Sequence, residues 1–446
     1  MRVDRATLTD LSILEQGEEG TCLFALLDRT CTGLGRNALR ARMRSLPSRS
    51  DLRDTQDAIR HLVVRRVALR AAIEFVDADK IDAYLSLNWQ ALTKHSWLGR
   101  FAERLILRFR YREAVRQISR GVGKLTALLE GLPAIIASIR PGPAQLERLA
   151  RELNELSDLE PMRVIRQARS GVLAEVLEAD QVARGAARDS IRRVLAVVAE
   201  LDALCAIATA TAEHGWCFPE FVEPDGVVDF EGLRHAQLAA GTPNDICIDA
   251  GQRVLAVTGP NMAGKSTLLK AVGTAVYLAH LGCGVPASRA RLSCFDALLA
   301  SLYVRDSLSG GQSFYLGEVR RIKDLVTALE STPRVFAILD EPFKGTNVHD
   351  ATEATTLLVD GLCAQDASTV IMTTHLSLVV RSRTDDACLA TSFLGAAESE
   401  AGPVFDYQPR PGVSDQRLGM VLLEQEGVAP ALASAIRRRS EKSVRR

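Results

Sequence analysis

The spacing of hydrophobic positions changes once along this chain. From Leu11 to about Phe218, apolar residues recur three and four apart; leucine, alanine and arginine dominate, and the pattern predicts one helix after another. Cys22–Leu27 is expected to begin one helix and Asn37–Met43 another, with the glycines of Thr32-Gly33-Leu34-Gly35 as the stop between them. Ser50 or Asp51 is expected to cap the next. Leu146, Leu149, Leu153 and Leu156 form a seam too short for a free zipper, which suits a helix packed on its own domain. Val194 to Ala212 reads as a strongly apolar helix broken by Asp202. After Pro219 the period shifts: Val254–Val257, Val335–Leu339 and Thr369–Thr374 are short apolar runs between amphipathic helices, as in a mainly parallel buried sheet. Two domains are therefore expected, a helical one over residues 1–219 and an α/β one over residues 220–446.

The first of those strands runs directly into Gly259-Pro260-Asn261-Met262-Ala263-Gly264-Lys265-Ser266, and Thr267 to Ala279 continues as a helix-compatible stretch. The octet fits G-x-x-x-x-G-K-[ST], and strand, glycine loop and helix in that order are the context of a phosphate site. Glycines let backbone N–H groups wrap an anion, and the helix N-terminus adds unpaired donors and a positive dipole end. In that reading Lys265 neutralises the β and γ phosphates of ATP and Ser266 ligates Mg²⁺. The second strand closes on Asp340-Glu341, where Asp340 holds Mg²⁺ through water and Glu341 orients or polarises the attacking water. The third closes on His375, at the strand end where α/β ligands bind, so it is read as a contact to the γ-phosphate or to water. Between them, Gly310-Gly311 followed by Ser313 makes a second anion-binding turn or merely a solvent loop. In one class of ATPases such an element completes the site of the partner subunit.

Charge changes this picture little. Lys+Arg and Asp+Glu number 55 each, so any polyanion must be met by a local patch. One candidate is Arg100, Arg104, Arg108, Arg112, Arg116, Arg120 and Lys124, a basic ridge every fourth residue that either tracks phosphates or is a solvated face. Gly121 and Gly123 make the far end of that helix doubtful. Nine cysteines without a CxxC pair suggest neither a zinc site nor a disulfide framework; Cys22, Cys205 and Cys247 read as reduced, buried thiols in a cytoplasmic protein. No signal peptide is evident, and no apolar run was expected to reach the length of a bilayer crossing.

Thr258 to Thr267, TGPNMAGKST, resembles the phosphate loop of the MutS family of DNA mismatch-repair ATPases. Further resemblances to that family follow in its order: Arg234-His235 and Pro243-Asn244-Asp245-Ile246, then Gly311-Gln312-Ser313-Phe314 with Glu318, Asp340-Glu341 with Lys344-Gly345-Thr346, and Thr373-Thr374-His375. Phe405 to Val413 looks like its late strand and turn; Leu26–Leu39 and Leu201–Pro219 resemble its core helical domain. The resemblance implies an α/β P-loop NTPase of the ABC/MutS type, preceded by an all-α core/lever domain with the clamp reduced or absent, and followed by a C-terminal dimerisation segment. It implies a homodimeric ATPase that binds duplex, mismatched or branched DNA and works with a repair or recombination partner. Gly259 to Thr267 would hold ATP, Ser266 and Asp340 would hold Mg²⁺, and Lys265, Glu341 and His375 would act on it, with Ser313 reaching in from the other copy. No mismatch-reading domain or connector is expected ahead of the core, and no nuclease after it. The aromatic residue that often stacks on adenine before the Pro-Asn-Asp run is replaced by Gly241. Leu308-Ser309-Gly310-Gly311-Gln312 also matches the signature of ABC transporters. A partner-regulated ATPase without DNA contact and a transport ATPase are therefore the alternatives.

Overall fold

A computed structural model describes residues 1–15, 21–86, 112–169, 171–302, 314–365, 368–399, 402–414, 416, 418 and 423–444. It divides into two compact units. One comprises Met1–Leu23, Trp216–His280 and Gly284–Arg446; the other comprises Phe24–Gly215 with Leu281–Cys283.

The first unit is built on strands β1 (Arg2–Val3), β2 (Glu220–Phe221), β3 (Val228–Leu233), β4 (Asn244–Ile248), β5 (Val254–Thr258), β6 (Arg289–Leu292), β7 (Ala297–Ser301), β8 (Val335–Asp340), β9 (Thr369–Thr373), β10 (Leu389–Ser399) and β11 (Gly402–Pro411). Seven of them form a sheet in the order β1-β7-β8-β9-β5-β10-β11, parallel throughout except for the antiparallel β10–β11 pair. A smaller sheet runs β2-β6-β3-β4. Every residue of β5 and β9 is buried, as continuous Val, Ile, Leu and Ala runs require when both faces of a parallel sheet are covered. The carboxyl ends of β5, β8 and β9 lie side by side in register, with Val257 and Asp340 both opposite Thr373. That edge is where open α/β sheets bind ligands.

The N-terminal stretch departs from the expected division at 219. Residues 1–23 belong to the sheet unit: β1 pairs in parallel with β7, and the helix Arg5–Asp10 extends its edge. Thr7 Oγ1 accepts the N–H of Ala300 at 2.8 Å, and Asp10 Oδ2 accepts that of Leu302 at 2.9 Å. The segment is too short and polar for its pattern to announce a strand. Its place follows from side chains that satisfy an otherwise open sheet edge.

Within the helical unit, Asp202 does not break its helix, which runs without interruption from Arg188 to Glu213. The carboxylate is buried and accepts the N–H groups of Cys31 and Thr32 and the Thr32 hydroxyl. These donors replace part of the water that the carboxylate loses, although burial still raises its pKa. Gly33 and Gly35 start a helix rather than stop one: Thr32 is its N-cap, and a Cβ on Gly35 would lie 2.0 Å from Asp202 Oδ2. The next helix, Arg49–Val76, is capped by Ser48, not by Ser50 or Asp51. The helix Arg112–Ile139 passes through Gly121, where a Cβ would meet the Tyr84 ring at 2.1 Å, so close packing explains that glycine. The leucine seam holds, with Leu146, Leu149 and Leu153 buried on the helix Ala144–Ser157.

Two further expectations are corrected. Val115–Ile139 and Arg188–Glu213 are both long and apolar enough to cross a bilayer by length and composition; the apolar window of the second is 89% buried inside the protein, so its hydrophobicity serves a core. Cys363 and Cys388, 25 residues apart, form a disulfide with Cα atoms 5.6 Å apart. The end of the helix Val348–Cys363 meets the turn before β10, a juxtaposition that spacing alone does not reveal. Cys22 and Cys205 are buried thiols, whereas Cys247 is exposed, because β4 alternates buried Ile246 and Ile248 with outward positions. The reduced-thiol argument for a cytoplasmic setting therefore fails for one pair.

Candidate functional site

The loop that leaves β5 depends on two glycines. Gly259 has φ +141°, and a Cβ there would come 2.2 Å from the Leu394 carbonyl oxygen on β10. Gly264 has φ +89°, and a Cβ would press on the Tyr407 ring at 3.0 Å. Between them Met262 stands exposed at φ +72°, with Asn261 also exposed and Ala263 buried as the anchor. The helix Lys265–Leu281 begins at once, so its first N–H groups face the loop without intrahelical partners. Thr267, in that first turn, is exposed.

Lys265 is buried, and its ammonium donates to the carbonyl oxygens of Gly259 at 2.9 Å and Pro260 at 3.0 Å. It also lies 3.6 Å from Glu341 Oε1. The next side chain, Ser266, donates its hydroxyl to Asp340 Oδ2 at 2.6 Å. The residues read as Mg²⁺ ligands thus meet across 74 positions of sequence. Glu341 follows Asp340 at φ +48°, and Phe343 at φ +65°. Left-handed backbone at non-glycine residues costs about 1–3 kcal/mol each and gathers where a site imposes it. His375 is exposed just beyond β9 and lines a cavity of about 550 Å³ with Gly259, Pro260, Asn261, Thr352 and Ser414. The described structure therefore brings Gly259, Pro260, Asn261, Lys265, Ser266, Asp340, Glu341 and His375 to one strand-end edge.

Some expected residues are not placed. Ser313, with Gly310 and Gly311, lies outside the described residues, as do Arg100, Arg104 and Arg108 of the basic ridge. In the described remainder of that ridge, Lys124 pairs with Asp77 at 2.8 Å and Arg116 with Glu113 at 3.6 Å, as on a solvated face. Glu318 is buried, accepts the N–H of Gly345 at 3.0 Å, and burial pushes its carboxyl above the usual range.

Residues 255–441 match the family model described as MutS domain V. The chain carries a MutS-family domain V. Similar proteins include the DNA mismatch repair protein MutS of Natronomonas pharaonis, 30% identical over 251 residues, which are 55% of this chain and 29% of that protein. The protein of the same name from Thermus thermophilus is 31% identical over 263 residues, 57% of this chain and 31% of its own length. DNA mismatch repair protein MutS 1 of Halobacterium salinarum is 31% identical over 248 residues, 55% and 28% respectively. The chain thus spans less than a third of the length of these relatives. MutS domain V is an ATPase domain, so the family match and the strand-end geometry point to the same half of this chain.

Two residues of the site escaped the sequence. Tyr407, at φ +56° on β11, stacks at 25° to Phe405 and leaves part of its ring open beside Gly264. Its neighbour Gln408 donates its side-chain N–H to the Pro243 carbonyl at 3.1 Å. Thr373 lies opposite Asp340 across the β8–β9 pair, and its hydroxyl accepts the Glu341 N–H. A tyrosine in a late strand carries no signal of what it faces, since only the β10–β11 pairing carries it to the loop after β5.

Proposed function

We propose that this chain is an ATP-dependent DNA-binding protein of the mismatch-repair MutS family, a dimeric ATPase whose grip on DNA switches with ATP binding and hydrolysis. The observation that carries the reading is the meeting of Lys265, Ser266, Asp340 and Glu341 at one strand-end edge, with His375 lining the adjoining cavity.

The residues fit ATP with Mg²⁺. Both glycines stand where a Cβ would collide, so the loop keeps bare backbone toward an anion. The functional groups meeting at Ser266 and Asp340 are oxygens, the donor class Mg²⁺ prefers. Bound there, Mg²⁺ would neutralise charge on the phosphate oxygens. Lys265 would do the same from the loop side, exchanging carbonyl partners for phosphate. Glu341 would take a proton from the attacking water, and His375 would steady that water or the γ-phosphate. Tyr407 offers an aromatic face for the base, which Gly241 cannot provide. Ser313 of one copy would complete the site of the other, making turnover depend on dimerisation.

The test has three readings on the purified chain: Mg²⁺-dependent ATP hydrolysis, nucleotide-dependent dimerisation in solution, and DNA binding across a salt series. Binding to duplex, mismatched and four-way-junction DNA should weaken steeply with salt if phosphates are contacted. A second reading, the same ATPase regulating a protein partner without touching DNA, is favoured by the equal numbers of basic and acidic residues, 55 each. Salt-independent or absent DNA binding beside intact turnover would select it. A monomer that hydrolyses ATP at the full rate would overturn the shared-site reading.

A further inference from the structure

We infer that Thr373 is a positioning residue for the nucleotide site, holding the Asp340 carboxylate toward Ser266 and the Glu341 backbone in its left-handed conformation through one hydroxyl group. The inference rests on the ATPase reading above and deepens it.

Thr373 is fully buried at the end of β9, in register with Asp340 on one side and Val257 on the other. Its hydroxyl donates to Asp340 Oδ1, while Asp340 Oδ2 accepts from Ser266. The same oxygen accepts the N–H of Glu341 at 3.0 Å, and the Thr373 carbonyl accepts that N–H at 3.2 Å. A hydroxyl has one proton to give. Because the Glu341 N–H must be the donor in its bond, the Thr373 proton is committed to Asp340. The carboxylate is therefore gripped by one hydroxyl on each oxygen, one from β9 and one from the phosphate loop. Glu341, at φ +48°, has its strained start fixed by the residue that orients its neighbour. A β-branched side chain suits the task, since threonine is stiff about χ1.

Partners of this kind, one step behind a metal ligand, typically change metal affinity or activity by about 10- to 100-fold when removed. Thr373→Val keeps the shape and deletes the hydroxyl; Thr373→Ser keeps the hydroxyl. Mn²⁺ binding to the protein with ADP, followed by electron paramagnetic resonance, is measured beside ATP turnover and a thermal melt. Wild-type protein should bind Mn²⁺ with ADP. Thr373→Val should bind Mn²⁺ about tenfold or more weakly and lose kcat by a similar factor. ADP affinity without metal should stay near wild type, and Thr373→Ser should restore Mn²⁺ affinity. Unchanged Mn²⁺ affinity in a folded Thr373→Val would overturn the inference while wild-type turnover left the ATPase reading standing. So would unfolding of both Thr373→Val and Thr373→Ala, which would assign the hydroxyl to stability. If wild-type protein neither binds Mn²⁺ with ADP nor hydrolyses ATP, the ATPase reading itself has failed and the inference falls with it.

Discussion

Replacing Lys265 by alanine probes the electrostatics of the site most directly. The ammonium is buried, 5% exposed, with two loop carbonyls and the Glu341 carboxylate around it. A phosphate about 4 Å from that charge, at the effective dielectric typical near a protein surface, gains about 4 kcal/mol, or about three decades of affinity. The loss goes further than the missing attraction. Without Lys265, the Glu341 carboxylate faces the phosphates with no cation at 3.6 Å, so like-charge repulsion is added. Lys265→Ala should therefore weaken Mg²⁺-ATP binding by about a thousandfold, and by less in a Glu341→Gln background, where the unscreened carboxylate is gone. The melting temperature should fall as well, since removing one partner leaves the Glu341 carboxylate and two loop carbonyls without their cation. Titration of a fluorescent ATP analogue on the single and double variants measures both numbers. A loss below about threefold for Lys265→Ala, or an equal loss in both backgrounds, would refute this account of the pair.

Glu341→Ala should retain ATP binding and lose turnover, leaving a nucleotide-trapped dimer visible by light scattering; full turnover would remove its assigned role. Tyr407→Ala should weaken ATP binding by the 1–3 kcal/mol, roughly, that a stacked base is worth, about 5- to 150-fold, with Tyr407→Phe near wild type in the same titration. Closing a loop of 25 residues, the Cys363–Cys388 bond should add about 3.5 kcal/mol in the chain-entropy picture, so denaturation midpoints of wild type with and without reductant should differ, and those of Cys363→Ser should not. Burial alone would raise the Asp4 carboxyl, but hydrogen bonds from Arg321 and Thr7 hold it below its usual value. Its contribution is therefore present above the unfolded-state pKa and fades as pH falls through the lowered one, and Asp4→Asn should flatten acid unfolding of the sheet unit in that window.

What the sequence determined by itself was whatever depends on local order. A buried strand, a glycine loop and a helix are contiguous, so the candidate phosphate loop from Gly259 to Thr267 was readable as a string. Asp340-Glu341 and His375 were legible because each ends an apolar run, and parallel strands bring their carboxyl ends to one edge. Tertiary structure decided the rest, because those outcomes depend on chain segments that are far apart in sequence. Asp202 breaks a helix only if its carboxylate lacks donors, and the donors come from Cys31 and Thr32, some 170 residues away. Arg2–Val3 and the helix Arg5–Asp10 sit at a sheet edge because β7 offers backbone groups there, not because their own pattern alternates. Cys363 finds Cys388, Tyr407 finds Gly264, and Thr373 finds Asp340 for the same reason: sheet order fixes neighbours, and sheet order is a property of the whole unit.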